Sequence, residues 1–389
     1  MEHKFLIREP TDILSLVDLL KACEPASQHI IKAAVFLCLE LLIELLSVLA
    51  SYSIEVRDMK CILRALQARN GRWARHSSKL LQVLQQVLRK DGPDVFFSFS
   101  GGNHNGIQIP PLNRWSSNAG WTFSVWVRMD PINSGNFEGE TPHLFYFGTP
   151  NFNYACYFVG NFLVLSAVKG KSSQGVQRCI KYEIQQRKWQ HVVLVYVFSR
   201  WGRNEVQCYI DGQLVSTLDL NWPVNNSEHF DRCFIGCSAD VEHRNTFSGQ
   251  MGAVYLFSES LNLQQINSLY CLGAGYQSCF KFRNEVDIPA GYVKYLFDGK
   301  LASLLVFAYC PKNCDRQLCL NSISRENQCH FMHTPHALMM EGVKVVTTHS
   351  IHSTLHSVGG AQMLLPLFNQ LDLPQERACG STFVDHSIW

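Results

Sequence analysis

The sequence has no marked excess of either charge. Its 389 residues include 34 Lys and Arg against 32 Asp and Glu, which gives a formal net charge of +2. Proteins that bind nucleic acid or an anionic membrane through their overall electrostatic field carry a larger positive excess. The balance of charge therefore predicts no nucleic-acid partner. Since 47% of the residues are hydrophobic, the chain can form a buried core in each of two or three domains.

The N-terminal sequence lacks the pattern of a secretory leader. Its first residues, MEHKFLIREPTDIL, are charged and contain no long apolar core. The 15 cysteines are an odd number and are spread along the chain rather than set at paired spacings. We therefore expect a cytoplasmic protein in which most cysteines are reduced and packed as small apolar side chains.

No apolar stretch is long and uncharged enough to predict a membrane span. The best candidate, residues 30–50, contains Lys32, Glu40 and Glu44, and each charge at bilayer depth costs a few kcal/mol. Glu40 and Glu44 are four residues apart, so they share one face of a helix and leave the other faces apolar. A helix with one polar stripe and apolar sides is typical of a stacked helical array.

Helical periodicity dominates the first part of the chain. Apolar residues recur at helical spacing in four stretches, residues 12–20, 30–50, 54–68 and 77–89. Asp91-Gly92-Pro93 ends this pattern. We interpret residues 1–92 as an armadillo-like segment of consecutive amphipathic helices. No strict internal repeat is visible, so the assignment depends on helical spacing alone.

From residue 93 onwards the apolar period changes from 3.6 to 2. Many short alternating segments separated by turn residues predict a β-sandwich over residues 93–273. Residues 205–220 form the clearest hairpin, because Asp211-Gly212 supplies the positive φ angles that a tight turn requires. Residues 189–197, WQHVVLVYV, are apolar enough to predict a central strand buried on both faces.

Residues 274–389 have a mixed pattern that becomes helical again. The spacing predicts helices over residues 300–309 and 336–346. A further helix is predicted over residues 350–371, with a break at Gly359-Gly360 and a break or end near Pro366. We interpret this part as a mixed, then armadillo-like segment and expect it to be truncated. The predicted fold class is therefore α+β, with an all-β sandwich between two α-helical segments.

Several phrases of the sequence carry a family resemblance. They occur in the order GWTFSVWVRMD, WQHVVLVYV, EVQCYIDGQLV and GQMGAVYLFSESL, and LHSVGGAQMLLPLFNQLD follows them. The sandwich resembles a jelly roll of the concanavalin A/laminin G type. Together with the flanking helices, the chain over residues 77–372 resembles the N-terminal region of the BEACH-domain scaffold family, of the neurobeachin kind.

The resemblance implies a non-enzymatic cytoplasmic scaffold that binds other proteins in vesicle trafficking and membrane-protein sorting. It also implies a link to protein kinase A, which some members anchor, although no segment matches a kinase-anchoring helix residue by residue. The PH-like, BEACH and WD40 modules of the family lie further towards the C-terminus, so we expect a fragment or short isoform without their functions. Peripheral association with endomembranes is implied only through the longer family context.

Catalytic signatures are scarce. A glycosidase with a concanavalin A-like fold needs two carboxylates flanking the scissile bond. The nearest match, Glu285-Val286-Asp287, has Ala290 where a second glutamate would stand. No P-loop, GxSxG or HExxH sequence occurs. We predict that the chain is not an enzyme.

A calcium-dependent, carbohydrate-binding lectin is the alternative function. The candidate calcium ligands are Asp130, Asn133 and Asn136 in one loop and Asp240 and Glu242 in another. Oxygen atoms of such residues bind calcium, but the same residues more often form solvated turns. Trp115, Trp201 and Trp222 could stack on a sugar, although we expect them to pack in the core or at its edges.

The densest group of thiols lies near the C-terminal part of the chain. It contains Cys310, Cys314, Cys319 and Cys329, followed by His330 and His333. The spacing fits a zinc knuckle only loosely and no second knuckle follows. We therefore predict packed, reduced thiols with no metal or cofactor, and keep the four cysteines as a metal-site alternative. A further set on one helical face, His349, His352 and His356, has no accompanying carboxylate, so we expect packing there as well.

Overall fold

The chain forms two compact units. The computed structural model describes residues 29–74, 76–88, 92–112, 119–131, 140–169, 175–201, 203–220, 229–239, 245–283, 288–323 and 336–374. One unit, here the helical unit, combines Met1–Lys90 with Thr348–Trp389, and the other, the sandwich unit, is Asp91–Thr347. The sequence placed the end of the sandwich at residue 273, so the segment expected at 274–389 is divided between the two units.

The described residues of the sandwich unit form sixteen strands, and every pair among them is antiparallel. The strands are β1 (Val95–Ser100), β2 (Ile107–Ile109), β3 (Trp121–Met129), β4 (His143–Gly148), β5 (Phe152–Val159), β6 (Phe162–Lys169), β7 (Gly175–Glu183), β8 (Gln190–Val197), β9 (Glu205–Ile210), β10 (Gln213–Asp219), β11 (Arg232–Ile235), β12 (Ser248–Phe257), β13 (Leu305–Asp315), β14 (Leu318–Asn321), β15 (Ala337–Met339) and β16 (Val343–Thr347).

The strands follow one continuous path that folds over a shared core. Their order is β10-β9-β8-β3-β12-β13-β14-β15-β2-β11-β4-β5-β6-β7. The two halves of this path face each other, since Phe123 of β3 and Phe145 of β4 have ring centroids 4.7 Å apart. β1 pairs with both β12 and β16 and places Val95 opposite Thr347. The predicted β-sandwich is confirmed.

Three short helices follow or interrupt the strands, namely α4 (Leu263–Leu272), α5 (Ala290–Leu296) and α6 (Lys300–Ser303). They cover the outer face of the half that contains β8 and β12. Val192 and Leu194 of β8 point into the sandwich core, whereas Val193 and Val195 belong to a second apolar cluster with Leu269 of α4. The strand is therefore buried on both faces, as its continuous apolar sequence predicts.

The hairpin between β9 and β10 turns at the residues that the sequence indicates. Ile210 and Gln213 are paired across the turn, and Asp211 and Gly212 have φ angles of 51° and 79°. Two positive φ angles match the right-handed twist of the flanking strands. The Asp211 carboxylate also accepts a 2.8 Å hydrogen bond from the backbone N–H of His191, which ties the turn to β8.

Two predicted helices of the C-terminal part are strands instead. Over residues 300–309 only α6 is helical, and β13 begins at Leu305. Residues 336–346 form β15 and the start of β16 around a turn. Both stretches contain β-branched residues, and each meets an open strand edge, β13 at β12 and β16 at β1. Pairing with a neighbouring strand therefore overrode the helical spacing.

The helical unit is formed by segments from both ends of the described chain. Its helices are α1 (His29–Tyr52), α2 (Val56–Leu66), α3 (Ser77–Val87), α7 (Ile351–Ser357), the 3-10 helix Gly360–Leu364 and α8 (Leu365–Phe368). Ile351 and Leu355 of α7 lie in one core with Ile62 of α2 and Val83 of α3. The stretch predicted at residues 12–20 lies outside the described residues.

Backbone hydrogen bonds join the two segments of this unit. The N–H of Ile54 donates to the carbonyl of His349 at 2.8 Å, and the N–H of Trp73 donates to that of Pro374 at 3.0 Å. Gly359 and Gly360 have φ angles of 116° and 75° and end α7, as predicted. Pro366 lies in the first turn of α8, where its missing N–H costs nothing, so it begins a helix rather than ending one.

Candidate interaction surfaces

The first helix of the helical unit has two opposite apolar faces. Leu39, Ile43 and Leu46 are buried in the core. The opposite face is exposed and carries four large apolar side chains, Leu41 (60% exposed), Leu45 (36%), Val48 (57%) and Tyr52 (39%). Their spacing of four, three and four residues places them in one stripe along α1. We call these four residues the outer stripe.

Polar residues separate the two apolar faces along one side of α1. Glu40 forms an ion pair with Lys79 of α3, and Glu44 is exposed. Ser47 donates a 2.6 Å hydrogen bond to the side chain of Gln86. The single polar stripe and two apolar sides predicted from the sequence are therefore found. A helix of this kind is suited to packing between two layers.

A second apolar surface of the helical unit is a groove of about 270 Å³. Its walls include Met59, Trp73, Leu84, Leu355, Leu367 and Phe368. Phe368 and Leu371 at its rim are 62% and 65% exposed. With Gln85 as its one polar lining residue among those described, the groove suits apolar side chains rather than a sugar or a phosphate.

The connection between β8 and β9 exposes a tryptophan. Trp201 is 95% exposed and lies between Arg200 and Arg203, of which Arg203 forms a 3.2 Å ion pair with Asp219. The expectation that Trp201 packs in the core or at its edge is wrong, because its side chain is almost completely exposed. Trp115 and Trp222 lie outside the described residues.

Three of the four candidate metal-binding cysteines lie together. Cys314 of β13 is directly opposite Cys319 of β14, and the thiols of both approach the backbone carbonyl of Cys310, at 3.6 and 4.0 Å. Cys329 lies outside the described residues. Within the described ranges, no group of three or more His, Cys, Asp or Glu side chains is arranged to hold a metal ion.

The remaining sequence candidates receive little structural support. Asp130 accepts a 3.3 Å hydrogen bond from Ser248, which gives it a structural role at the end of β3. His349, His352 and His356 are all exposed, so the expected packing is not found, and His352 is hydrogen-bonded to the carbonyl of Leu88 at 3.1 Å. The other calcium candidates, Asn133, Asn136, Asp240 and Glu242, and the carboxylates Glu285 and Asp287 fall outside the described residues.

The sequence reasoning missed a buried Ser–His pair. The Ser124 hydroxyl and the His191 Nε2 are 2.9 Å apart, and both side chains are buried. The imidazole stacks on Trp126, with ring centroids 5.1 Å apart. Burial lowers the pKa of His191 to about 3, so the ring stays neutral at physiological pH. Because substrate cannot reach either atom, the pair stabilises the packing of β3 against β8.

Two family models match the chain. The Laminin_G_3 model, described as the concanavalin A-like lectin/glucanases superfamily, matches residues 101–267. The model described as the neurobeachin/BDCP, DUF4704 alpha solenoid region matches residues 329–388. The matches agree with the jelly roll and the second helical segment that the sequence resemblance implies.

Known proteins match both units at once. A putative neurobeachin homolog of Caenorhabditis elegans is 50% identical over 86% of this chain and 13% of its own length. The chain resembles a segment of the BEACH-domain scaffolds. The BEACH domain-containing protein lvsE of Dictyostelium discoideum is 26% identical over 85% of this chain and 14% of its own length. The predicted resemblance is confirmed, and the chain spans about one eighth of these BEACH-family relatives.

A solved structure is also similar. A putative carbohydrate-binding protein from Bacteroides ovatus has 12% identity and a TM-score of 0.40, covering 65% of this chain and 60% of that one. In the part of the chain that the structure describes, no helix is both long enough and apolar enough to cross a bilayer.

Proposed function

We propose that this chain is a non-enzymatic scaffold segment that binds other proteins through the outer stripe of α1. The observation that carries the proposal is the exposure of Leu41 and Val48 on a helix whose other apolar face is already buried. In this proposal the occupant is an amphipathic helix of a partner protein, because its apolar residues would repeat at the same spacing as the stripe.

The energetics support a helical occupant. Burying a leucine or valine side chain contributes about 1.5–3 kcal/mol, so covering the outer stripe yields enough to hold a partner helix. Glu44 beside the stripe would favour a partner with a basic residue at the edge of its apolar face. The neighbouring groove, with Phe368 and Leu371 at its rim, offers a second apolar contact within the same unit.

The similarity to BEACH-domain proteins supports a finer proposal about context. We propose a role in vesicle trafficking and membrane-protein sorting, in the cytoplasm, with peripheral attachment to endomembranes supplied by other parts of a longer protein. A link to protein kinase A anchoring is part of the same proposal. Direct binding of purified kinase regulatory subunit to this chain would test it, and no binding would remove the link from this segment.

The experiment is a pull-down from cytosolic extract with the whole chain, run in calcium and in chelator. The test variant is Leu41→Glu/Val48→Glu, which places two charges in the outer stripe, and the matched control is Gln82→Glu, which adds a charge at an exposed position of α3. We expect the same trafficking or kinase-scaffold proteins to bind with and without calcium. The double variant should weaken their binding at least tenfold, because about 1.4 kcal/mol corresponds to a factor of ten.

The alternative function is a calcium-dependent lectin, which the jelly-roll fold and the exposed Trp201 favour. Capture of glycoproteins that stops in chelator, and that a competing sugar prevents, would establish the lectin and overturn the scaffold. Calcium-independent capture that the double variant leaves unchanged would retain a scaffold but place its binding surface away from α1. Circular dichroism of each variant verifies that the helical unit is folded.

A further inference from the structure

The hairpin of β13 and β14 brings two free thiols into register in the sandwich unit, one half-buried and the other buried. We propose that Cys314 and Cys319 form a reversible disulfide, with a low-molecular-weight disulfide such as glutathione disulfide as the oxidant. The inference concerns the sandwich unit and is independent of the function proposed for α1.

The backbone already has the separation that a disulfide needs. Asp315 pairs with Leu318 across the turn, and Cys314 pairs with Cys319 in the next position. Residues directly opposite on antiparallel strands have Cα atoms about 4.5–5.5 Å apart. Disulfides span Cα separations of about 4.4–6.8 Å. The bond can therefore form with side-chain rotation and little movement of either strand.

The two thiols differ in how easily a small molecule reaches them. Cys314 is half-buried and lines an open groove of about 510 Å³, together with Arg316 and Lys344. The guanidinium and ammonium groups suit the carboxylates of a glutathione moiety, although Glu341 also lines the groove. Cys319 is fully buried beneath it. Cys314 is therefore the thiol that meets the oxidant, and Cys319 is the thiol that completes the bond.

The hydrogen bond between the two thiols supports these roles. It raises the pKa of Cys319 well above its ordinary value, and burial raises it further. Cys319 accordingly keeps its proton at neutral pH and is the less reactive of the two thiols. A thiolate is the nucleophile in disulfide exchange, so the first step falls to Cys314, the thiol that lines the groove.

The exchange balances in two steps. The Cys314 thiol loses its proton to solvent, and its sulfur attacks one sulfur of glutathione disulfide, which forms a mixed disulfide and releases one glutathione thiolate. Cys319 then loses its proton, and its sulfur attacks the Cys314 sulfur and releases the second glutathione. Both thiolates that leave take up a proton. The two protein thiols are oxidised, and one glutathione disulfide is reduced to two glutathione molecules.

The neighbouring thiols are poorly placed to compete. Cys310 is fully buried, and burial raises its pKa to about 12. Cys279 is buried as well, and its thiol donates to the carbonyl of Ser322 at 3.0 Å. Neither residue lines the groove. The geometry therefore selects one pair from the four cysteines of this region.

In the test, the whole folded chain is incubated in a series of glutathione redox buffers. The reaction is quenched with acid, the free thiols are alkylated, and the tryptic peptides are identified by mass spectrometry. Trypsin cleaves after Lys312 and Arg316, so the two cysteines separate into different peptides that only a disulfide joins. We expect this linked pair to appear as the buffer becomes oxidising and to disappear in excess reduced glutathione. Cys314 should react with iodoacetamide at least about tenfold faster than Cys319.

Three variants separate the steps. Cys319→Ser should stop at a glutathione adduct on Cys314, Cys314→Ser should leave Cys319 unmodified, and the control Cys179→Ser, which removes an exposed thiol of β7, should leave the linked pair unchanged. The proposal is overturned if both cysteines stay equally alkylated across the series. It is also overturned if the pair forms only after near-ultraviolet circular dichroism shows unfolding, or if native chain retains zinc that Cys314→Ser loses.

Discussion

The sandwich unit and the helical unit differ in how they bury their apolar side chains. The sandwich completely buries many large aromatic side chains, including Trp121, Phe123 and Phe147. The helical unit buries one side of its helices and exposes Leu41, Val48 and Phe368 on other sides. A sheet folded over itself covers its own inner face, whereas each helix of a stacked array needs a neighbour on two sides. The first unit therefore covers its largest apolar face by itself, whereas the described part of the second leaves apolar side chains uncovered.

The largest expected effect is on the core of the sandwich. Phe123→Ala removes a fully buried ring that packs against Phe145, and we expect it to lower the free energy of unfolding by about 3–5 kcal/mol. The matched change in the outer stripe, Leu41→Ala, should alter it by no more than about 0.5 kcal/mol. Urea unfolding measures both. Equal losses would show that the outer stripe is part of a core, and the comparison would fail.

An intermediate effect, about 2 kcal/mol, is expected when the pH is lowered to 5. Because burial lowers the pKa of His191 to about 3, below pH 6.5 the unfolded chain binds a proton there that the folded chain does not. The contribution to stability is present above the unfolded pKa and falls by about 1.4 kcal/mol for each pH unit between 6.5 and 3.

The measurement for this prediction is the unfolding free energy of the chain and of His191→Gln at several pH values. The variant should lose the part of the slope that His191 contributes. His143, whose pKa burial also lowers, remains in both proteins and is removed by the subtraction. Parallel curves for the two proteins would contradict a buried, neutral His191 and would weaken the description of a closed sandwich.

The smallest effects are expected at helix caps, one in each unit. Asn262 accepts a 2.9 Å hydrogen bond from the N–H of Gln265, whose side chain bonds back to the N–H of Asn262 at 3.0 Å. Ser350 accepts from the N–H of Ser353 at 3.2 Å. Asn262→Ala and Ser350→Ala should each cost about 1 kcal/mol. Hydrogen exchange should show faster opening of α4 in the first and of α7 in the second, and an effect that spreads across both units would argue against two separate units.

The sequence was sufficient to predict the parts of the fold that local physics determines. Asp211-Gly212 predicted its turn because few other dipeptides adopt two positive φ angles at low cost. The positions of Glu40 and Glu44 predicted a helix with two apolar sides. The segments from WTFSVWVRM to GQMGAVYLFS predicted a sandwich, because their apolar and polar residues alternate with the period of a strand.

The sequence could not predict what depends on distant partners. Leu305–Asp315 is a strand because β12 offers it an unpaired edge, and no local spacing contains that information. Cys314 faces Cys319 because β13 pairs with β14. The exposure of Trp201 depends on the conformation of its loop. The contact of Ser124 with His191 joins residues that are 67 positions apart in the sequence. Each of these features depends on the tertiary fold, which overrides local propensity.

The pairing of β1 with β16 has an architectural consequence. Val95 and Thr347 are opposite each other on paired strands. The chain therefore enters and leaves the sandwich unit at two points that are one strand spacing apart, roughly 5 Å. A module with adjoining termini can be inserted into a loop of another domain without stretching it. The sandwich unit has the geometry of an inserted domain. A short Gly/Ser linker could therefore replace it, because the linker would span no more than the distance between two paired strands.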